Sequence, residues 1–436
     1  MNDPAVRRRP LLFIFITVLI DMIGFGIIIP VMPELIMELT GEGLGRAAQY
    51  GGWLLFVYAL MQFFFAPIIG NLSDRFGRRP VLLFSLVAFG CDYLVMGFAP
   101  TLAWLFAGRI VAGIAGATHS TASAYIADVS PPEQRSQNFG LIGAAFGLGF
   151  MLGPVLGGFL GEYGPRVPFF AAAGLALCNA AYGFLILPET LSPADRRPFQ
   201  LRRANPVGAL AQMRSYPVVV GLFGALILYM IAHDANPAVW SYYTMLKFGW
   251  TEREVGYSMG AVGLGVTLVQ GFLIRAAIPR IGELRAVFVG YGLMSLAFAG
   301  FAFASAGWMM YAFIVPLSLG GLATPALRGI MSNRVPDNAQ GELQGAIASA
   351  LSLTAIVAPL FMTQLFGYFT SDAAPLYFPG APFLTAGVLL LGSIAVFAGV
   401  MSTVGLGPAQ ATHRDDGYTD LGERGESGCG ELPDRE

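Results

Sequence analysis

The sequence predicts an all-α membrane protein with twelve transmembrane helices in two six-helix pseudo-repeats. Three observations carry that prediction. The 436 residues are 55% hydrophobic and only 12% charged, whereas soluble domains carry about a quarter charged residues. The apolar residues fall in long runs centred on Leu19, Ala59, Leu86, Ile114, Phe150, Leu175, Ala225, Gly265, Ala297, Pro316, Thr354 and Leu391. Each run approaches the roughly 20 residues that a helix needs to cross a bilayer. Landmarks of the first half also recur in the second at one interval: Gly77 with Gly282, Pro131 with Pro336, Gly140 with Gly345 and Pro154 with Pro359 are all 205 residues apart. Arg75/Arg280 and Asp128/Asn333 keep the same spacing, which is the signature of an internal repeat.

Helices rather than strands follow because an apolar helix satisfies its own backbone in lipid without the alternation that a barrel shows. The first run has a basic start (Arg7, Arg8, Arg9) but is too long for a signal peptide and lacks an A-x-A-like cleavage site, so it reads as a retained span 1. The residue ranges expected are 1–187 for an N-terminal six-helix bundle, 188–216 for a central cytoplasmic linker and 217–403 for a C-terminal six-helix bundle. The tail, 404–436, holds eight acids against three arginines from Thr412 onward and reads as disordered cytoplasmic chain. Orientation follows the arginines. Sixteen basic residues fall in the segments on the N-terminal side of the membrane and four (Arg46, Arg166, Lys247, Arg253) on the other. The positive-inside rule then puts both termini in the cytoplasm.

Several functions are excluded or disfavoured. No basic stripe with aromatics points to nucleic acid, and no G-x-x-x-x-G-K-[ST] loop points to nucleotide hydrolysis. Cys91, Cys178 and Cys429 are too scattered for a disulfide framework or a zinc site. No cofactor, protein-bound metal or obligatory protein partner is expected, and no loop is long enough for a soluble catalytic domain. A duplicated six-helix bundle suits a carrier whose halves rock about a midplane site.

Charges inside spans are costly, about 2.5–3.5 kcal/mol or more at the bilayer centre, and mark function or ion pairing. Asp21 stands about 11 residues into span 1, Asp92 about 12 residues into span 3, and Arg109 in span 4, so at ~1.5 Å per residue all three reach a similar middle-to-outer depth. An Asp92–Arg109 pair is expected, with Asp21 handling protons or substrate; the plainer alternative for each is a structural ion pair. Gln62 is the polar group in "LMQFFFAP". His233 and Asp234 are placed near the outer end of span 7, as a second protonation point or simply a hydrated helix end. His119 reads as packing, and Trp240, Tyr242 and Tyr243 as an interfacial aromatic belt.

The motifs extend this reading. "GNLSDRFGRRP", with Gly70, Asp74, Arg75, Gly77, Arg78 and Arg79, resembles the G-x-L-[SA]-D-R-x-G-R-[RK] signature of the major facilitator superfamily at every position. "GRIVAG" resembles its G-R-x-x-x-G element, and "GLGFMLGPVLGG", with Gly149, Gly153, Pro154, Gly157 and Gly158, resembles its antiporter signature. Stretches such as "YIADVSPPEQRSQNFG" and "TPALRGIMS" are similar to the tetracycline/proton antiporters along nearly the whole chain except linker and tail. That resemblance implies export of amphipathic drugs, tetracycline-like by preference, in exchange for protons across a bacterial inner membrane. It implies a drug or proton route along Asp21, Gln62, Asp92 and Arg109, a cytoplasmic charge relay of Asp74, Arg78 and Asp128, and a substrate that travels as a divalent-metal chelate. The family's well-studied members carry an acid in span 9 and a histidine in span 8; the matching positions here are Met294 and Val266. Exporters of other drugs or metabolites, sugar or organic-acid importers, and a non-transporting sensor acting through its tail are the alternatives.

Overall fold

The computed structural model of the chain describes residues 4–116, 118–131, 134–192, 194, 196, 216–336 and 339–403. Most of the expected linker and the whole expected tail lie outside them, as does the side chain of His119. Among the described residues every regular element is a helix. Span 1 is α1 (Pro4–Ile28), followed by a short α2 (Met32–Thr40). Spans 2 and 3 are α3 (Leu44–Phe76) and α4 (Arg78–Gly97). Span 4 is divided into α5 (Leu102–Ala115) and α6 (Thr118–Val129), and spans 5 and 6 are α7 (Arg135–Gly161) and α8 (Val167–Ile186). Span 7 is α9 (Pro217–His233) plus α10 (Ala235–Phe248). Span 8 is α11 (Glu252–Leu268), a π-turn (Val269–Leu273) and α12 (Ile274–Ile281). Span 9 is α13 (Glu283–Phe303), span 10 is α14 (Gly307–Gly320) plus α15 (Ala323–Ser332), and spans 11 and 12 are α16 (Gln340–Phe369) and α17 (Ala381–Thr403).

Among the described residues, eleven of these spans are long and apolar enough to cross a membrane. Span 4 is interrupted near Gly116, so its 14-residue first piece needs α6 to complete a crossing. Large apolar side chains such as Phe98, Phe184, Phe272 and Trp308 stand on the surface, as a lipid-facing perimeter requires and a soluble one avoids.

The repeat is visible in the backbone. Gly77 (φ 110°, ψ 158°) and Gly282 (φ 77°, ψ 154°) adopt the same left-handed turn before spans 3 and 9, a conformation that strains any residue with a Cβ. Span 10 is interrupted at Gly321, the same interval beyond Gly116. We call the end of the bundle that carries these two turns the turn end, and the opposite one the far end.

Two expectations need correction. His233 and Asp234 are not near the outer end of span 7. They form the joint between α9 and α10, with 14 further helical residues beyond them. Pro237 tolerates this arrangement because it occupies the first turn of α10, where its missing N–H costs nothing. Trp240, Tyr242 and Tyr243 are not an interfacial belt either. They are 0%, 6% and 0% exposed; Trp240 Nε1 donates to Ser258 Oγ at 2.8 Å, and Tyr243 packs edge-on to Phe383.

The two halves meet at the far end. Spans 2 and 11 touch so closely that a Cβ on Gly52 would stand 1.8 Å from Thr363 Oγ1, and spans 5 and 8 so closely that one on Gly158 would stand 2.4 Å from the Glu252 carbonyl oxygen. Ser241 Oγ donates across the halves to the Ile29 carbonyl at 3.1 Å, and Arg253 pairs with Glu162 at 3.1 Å. Toward the turn end the halves part: Gly140, Gly143, Gly271 and Gly341 have nothing within 4 Å of where a Cβ would stand.

A carboxyl pair belongs to the far-end closure. Glu34 of α2 hydrogen-bonds to Glu252 of α11, and this, with burial and the negative charge of Glu252, raises its pKa to about 7. Parting the far end separates the two acids, so Glu34 returns toward its ordinary value near 4.5. The closed form thus binds the extra proton. Its advantage is present at acid pH and is lost as pH rises through about 7.

Both closing devices are testable with Thr363→Cys in a background where Cys91, Cys178 and Cys429 are alanine, using an impermeant thiol reagent added at the far end. Labelling should speed up as pH rises from 6 to 8, and Glu34→Gln should flatten that dependence. Gly158→Val, which forces spans 5 and 8 apart, should make labelling fast throughout.

Candidate functional site

The space between the halves is a cavity of about 480 Å³. Span 1 contributes Asp21, span 2 Tyr58 and Gln62, span 4 Arg109 and Gly116, and span 7 Asp234 and Ser241. The rest of the wall is largely apolar and aromatic, with Phe25, Phe89, Tyr93, Phe146, Phe150 and Tyr242 among its rings. An apolar pocket with a few convergent polar groups is the usual form of a small-molecule site.

Four of the six residues expected to handle protons or substrate therefore share one cavity: Asp21, Gln62, Arg109 and Asp234. Asp92 stands behind that wall. It is 1% exposed and forms the expected ion pair with Arg109, itself 4% exposed. Arg109 also lies 5.4 Å from the centre of the Tyr58 ring, so the cation is held from two sides and turned toward the cavity. Gly108 makes the pairing possible, since a Cβ there would stand 2.5 Å from Asp92 Oδ1. Gln62 Nε2 donates to the Gly116 carbonyl at 2.9 Å, satisfying an oxygen left open where span 4 breaks. His233 faces elsewhere: it lines a second cavity inside the C-terminal half, with its Nδ1 3.8 Å from Asp234 Oδ1.

The glycine-rich stretch of span 5 has two working faces. Cβ atoms on Gly149, Gly153 and Gly157 would each stand within 3 Å of span 1, at Met22, Gly26 and Ile27. Gly158 faces span 8 instead, against Glu252, and Pro154 touches both, with its ring beside Gly26 and its carbonyl beside Gly256. Small residues permit this approach. The stretch thus carries Asp21's helix on one side and the opposite half on the other.

At the turn end, Arg78 pairs with Asp74 and donates Nε to Asp128 Oδ2 at 3.1 Å and Nη1 to Ser73 Oγ at 2.7 Å. All these partners belong to the N-terminal half, and the pairs form while the halves are parted at this end. Arg75 lies exposed beside the Phe76 ring, 5.2 Å from its centre, and Gly70 has open space around it. Arg79 donates to the Phe184 carbonyl at 2.7 Å.

Sequence reasoning missed Glu189. Its carboxylate accepts the backbone N–H groups of Arg78 at 2.9 Å and Arg79 at 3.3 Å, capping the exposed start of α4. It fits because Gly77 has no Cβ; one would stand 2.2 Å from Glu189 Oε2. The contact joins residues more than a hundred positions apart, and no local pattern announces it. Arg328 was missed too. Once loops and tail are set aside, Arg109 and Arg328 are the two basic residues left within spans, and that was the available signal.

Comparison with known proteins agrees with this architecture. The family model described as Major Facilitator Superfamily matches residues 14–359. The chain is 40% identical over 359 residues to the class C tetracycline resistance protein of Escherichia coli, covering 82% of this chain and 90% of that one. It is 39% identical over 358 residues to the class B protein of Escherichia coli, covering 80% and 86%. Among solved structures, the human organic anion transporter MFSD10 (TETRAN) superposes with a TM-score of 0.65 at 25% identity, covering 91% of this chain and all of that one. A multi-pass membrane transporter, not an enzyme, is what these matches describe. The chain belongs to the Major Facilitator Superfamily.

Proposed function

We propose that the chain is a proton-coupled antiporter that exports amphipathic drugs, tetracycline-like by preference, from a bacterial cell across its inner membrane. The observation that carries this reading is the carboxylate of Asp21 on the wall of the cavity between the halves, with Asp234 of the other half on the same wall. Similarity to the class C and class B tetracycline resistance proteins supports the substrate preference. So does the wall itself, whose rings suit a planar, partly apolar molecule. A divalent-metal chelate of such a drug carries positive charge that a carboxylate attracts.

The turn end is the cytoplasmic one in this reading, with both termini inside, and the described conformation accepts substrate from the cytoplasm. The two bundles, 1–187 and 217–403, rock about the cavity. Protonation of Asp21 from the outside removes the charge that holds the substrate, releases it, and lets the far end close again. Asp92 stays paired with Arg109 through the cycle and positions the guanidinium. Val266 and Met294 are apolar where relatives place titratable groups, so the proton load falls on Asp21, with Asp234 as the second acid. Glycines of span 5 transmit the motion, since they touch span 1 and span 8 together. Asp74, Arg78 and Asp128 shape the cytoplasmic turn that engages the other half when that end closes.

Asp21→Asn should abolish drug-evoked dissipation of the proton gradient in everted vesicles and leave the amount of protein in the membrane near normal. Drug efflux and proton flux unchanged from wild type would sink the assignment of Asp21. A host lacking its own pumps should lose the added drug resistance with the same substitution. Glu189→Ala should lower stability by about 1 kcal/mol, the usual cost of losing a helix cap, read as a lower melting temperature in detergent.

A further inference from the structure

A second cavity of about 350 Å³ lies wholly within the C-terminal half, between spans 7, 8, 9 and 10. Arg328 of α15 is on its wall. The Nε of Arg328 is buried without a hydrogen-bond partner, and no carboxylate among the described residues lies within ion-pair distance of its guanidinium. Neither neighbouring acid pairs with it. Glu283 of α13 lies against the backbone of Gly329, and Asp234 lines the first cavity and contacts His233. Arg109, by comparison, has the carboxylate of Asp92 beside it.

Arg328 lies four residues before the end of α15, and a charged side chain within a span usually faces a cavity or a partner. Val266 and Met294 line the same cavity and supply no charge. Gln270, Asn236 and Thr324 add hydrogen-bonding groups to the wall, while Phe298 and Leu317 give it an apolar floor. The guanidinium fork matches a carboxylate in a bidentate arrangement, and the volume suits a small organic body beside it.

We propose that this cavity binds an amphipathic organic anion, with its carboxylate on Arg328 and its apolar body against Val266, Met294 and Phe298. The inference deepens the export reading, on which it rests, by adding a substrate class that carries negative charge. The two cavities then have opposite characters: carboxylates on the wall between the halves, an unneutralised cation inside the C-terminal half. His233 and Asp234, consecutive in sequence, stand one in each.

The probes are 2-naphthoate and its neutral isostere 2-naphthamide, with binding measured by equilibrium dialysis on the full chain in lipid nanodiscs. The wild type should bind naphthoate saturably and naphthamide at least tenfold more weakly. Arg328→Gln should lose at least tenfold for naphthoate and leave naphthamide unchanged. Arg328→Lys, which keeps the charge and loses the fork, should fall between them. Met294→Glu, which supplies an internal counter-ion without touching Arg328, should also weaken naphthoate binding. Equal binding of the two probes by the wild type, or wild-type naphthoate binding by Arg328→Gln, overturns the proposal. Tetracycline-evoked proton flux, measured in parallel, tests the export reading by itself. Its absence in the wild type would sink that reading, while the naphthoate measurements alone decide whether the inner cavity holds an anion.

Discussion

The arrangement depends on how closely span 5 approaches its neighbours. Gly149, Gly153 and Gly157 bring its backbone against span 1, while Gly158 brings it against the start of span 8 in the other half. In hydrocarbon no hydrophobic force drives helices together, so backbone approach and dispersion decide which faces meet. One helix therefore holds the acid-bearing span and the opposite bundle at once. A side chain larger than hydrogen at any of these positions would have to move a backbone rather than a flexible side-chain tip.

Charge is distributed over that frame with clear division. Asp92, behind the cavity wall, and Arg109, on it, neutralise each other, and removing either would leave a buried charge without compensation. Asp74, Arg78, Asp128 and Glu189 knit the turn end of the N-terminal half, where water moderates each pair. Asp21 and Asp234 line the space between the halves. Glu34 meets Glu252 across the halves at the far end, and that contact raises its pKa to about 7. Each acid has a different environment, and so a different use.

Much of this was legible in the sequence. The repeat interval picked out Gly77 and Gly282, and the backbone confirms both in the same unusual conformation. Depth counted along spans 3 and 4 paired Asp92 with Arg109 correctly. The joint at Asp234 was misplaced because α9 and α10 together form one 32-residue apolar stretch, and hydropathy does not mark where a helix bends within it. Trp240 and Tyr243 were assigned by composition to an interface, yet their ring contacts with Phe301 and Phe383 bury them. Glu189 and Arg328 act through partners, or a lack of partners, that depend on distant segments. No window along the chain contains that information.

The π-turn in span 8 gives that helix an unusual mechanical property. Val269–Leu273 accommodates one residue more than an α-helical turn would. Redistributing it would rotate Ile274–Ile281 by about 100° relative to Glu252–Leu268. The piece beyond the turn end of α11 is free of close glycine contacts, with open space beside Gly271, whereas the far-end piece is pressed against span 5. Span 8 is thus clamped at one end and torsionally compliant at the other. A rocking motion of the bundle can be absorbed there as twist, with no helix broken.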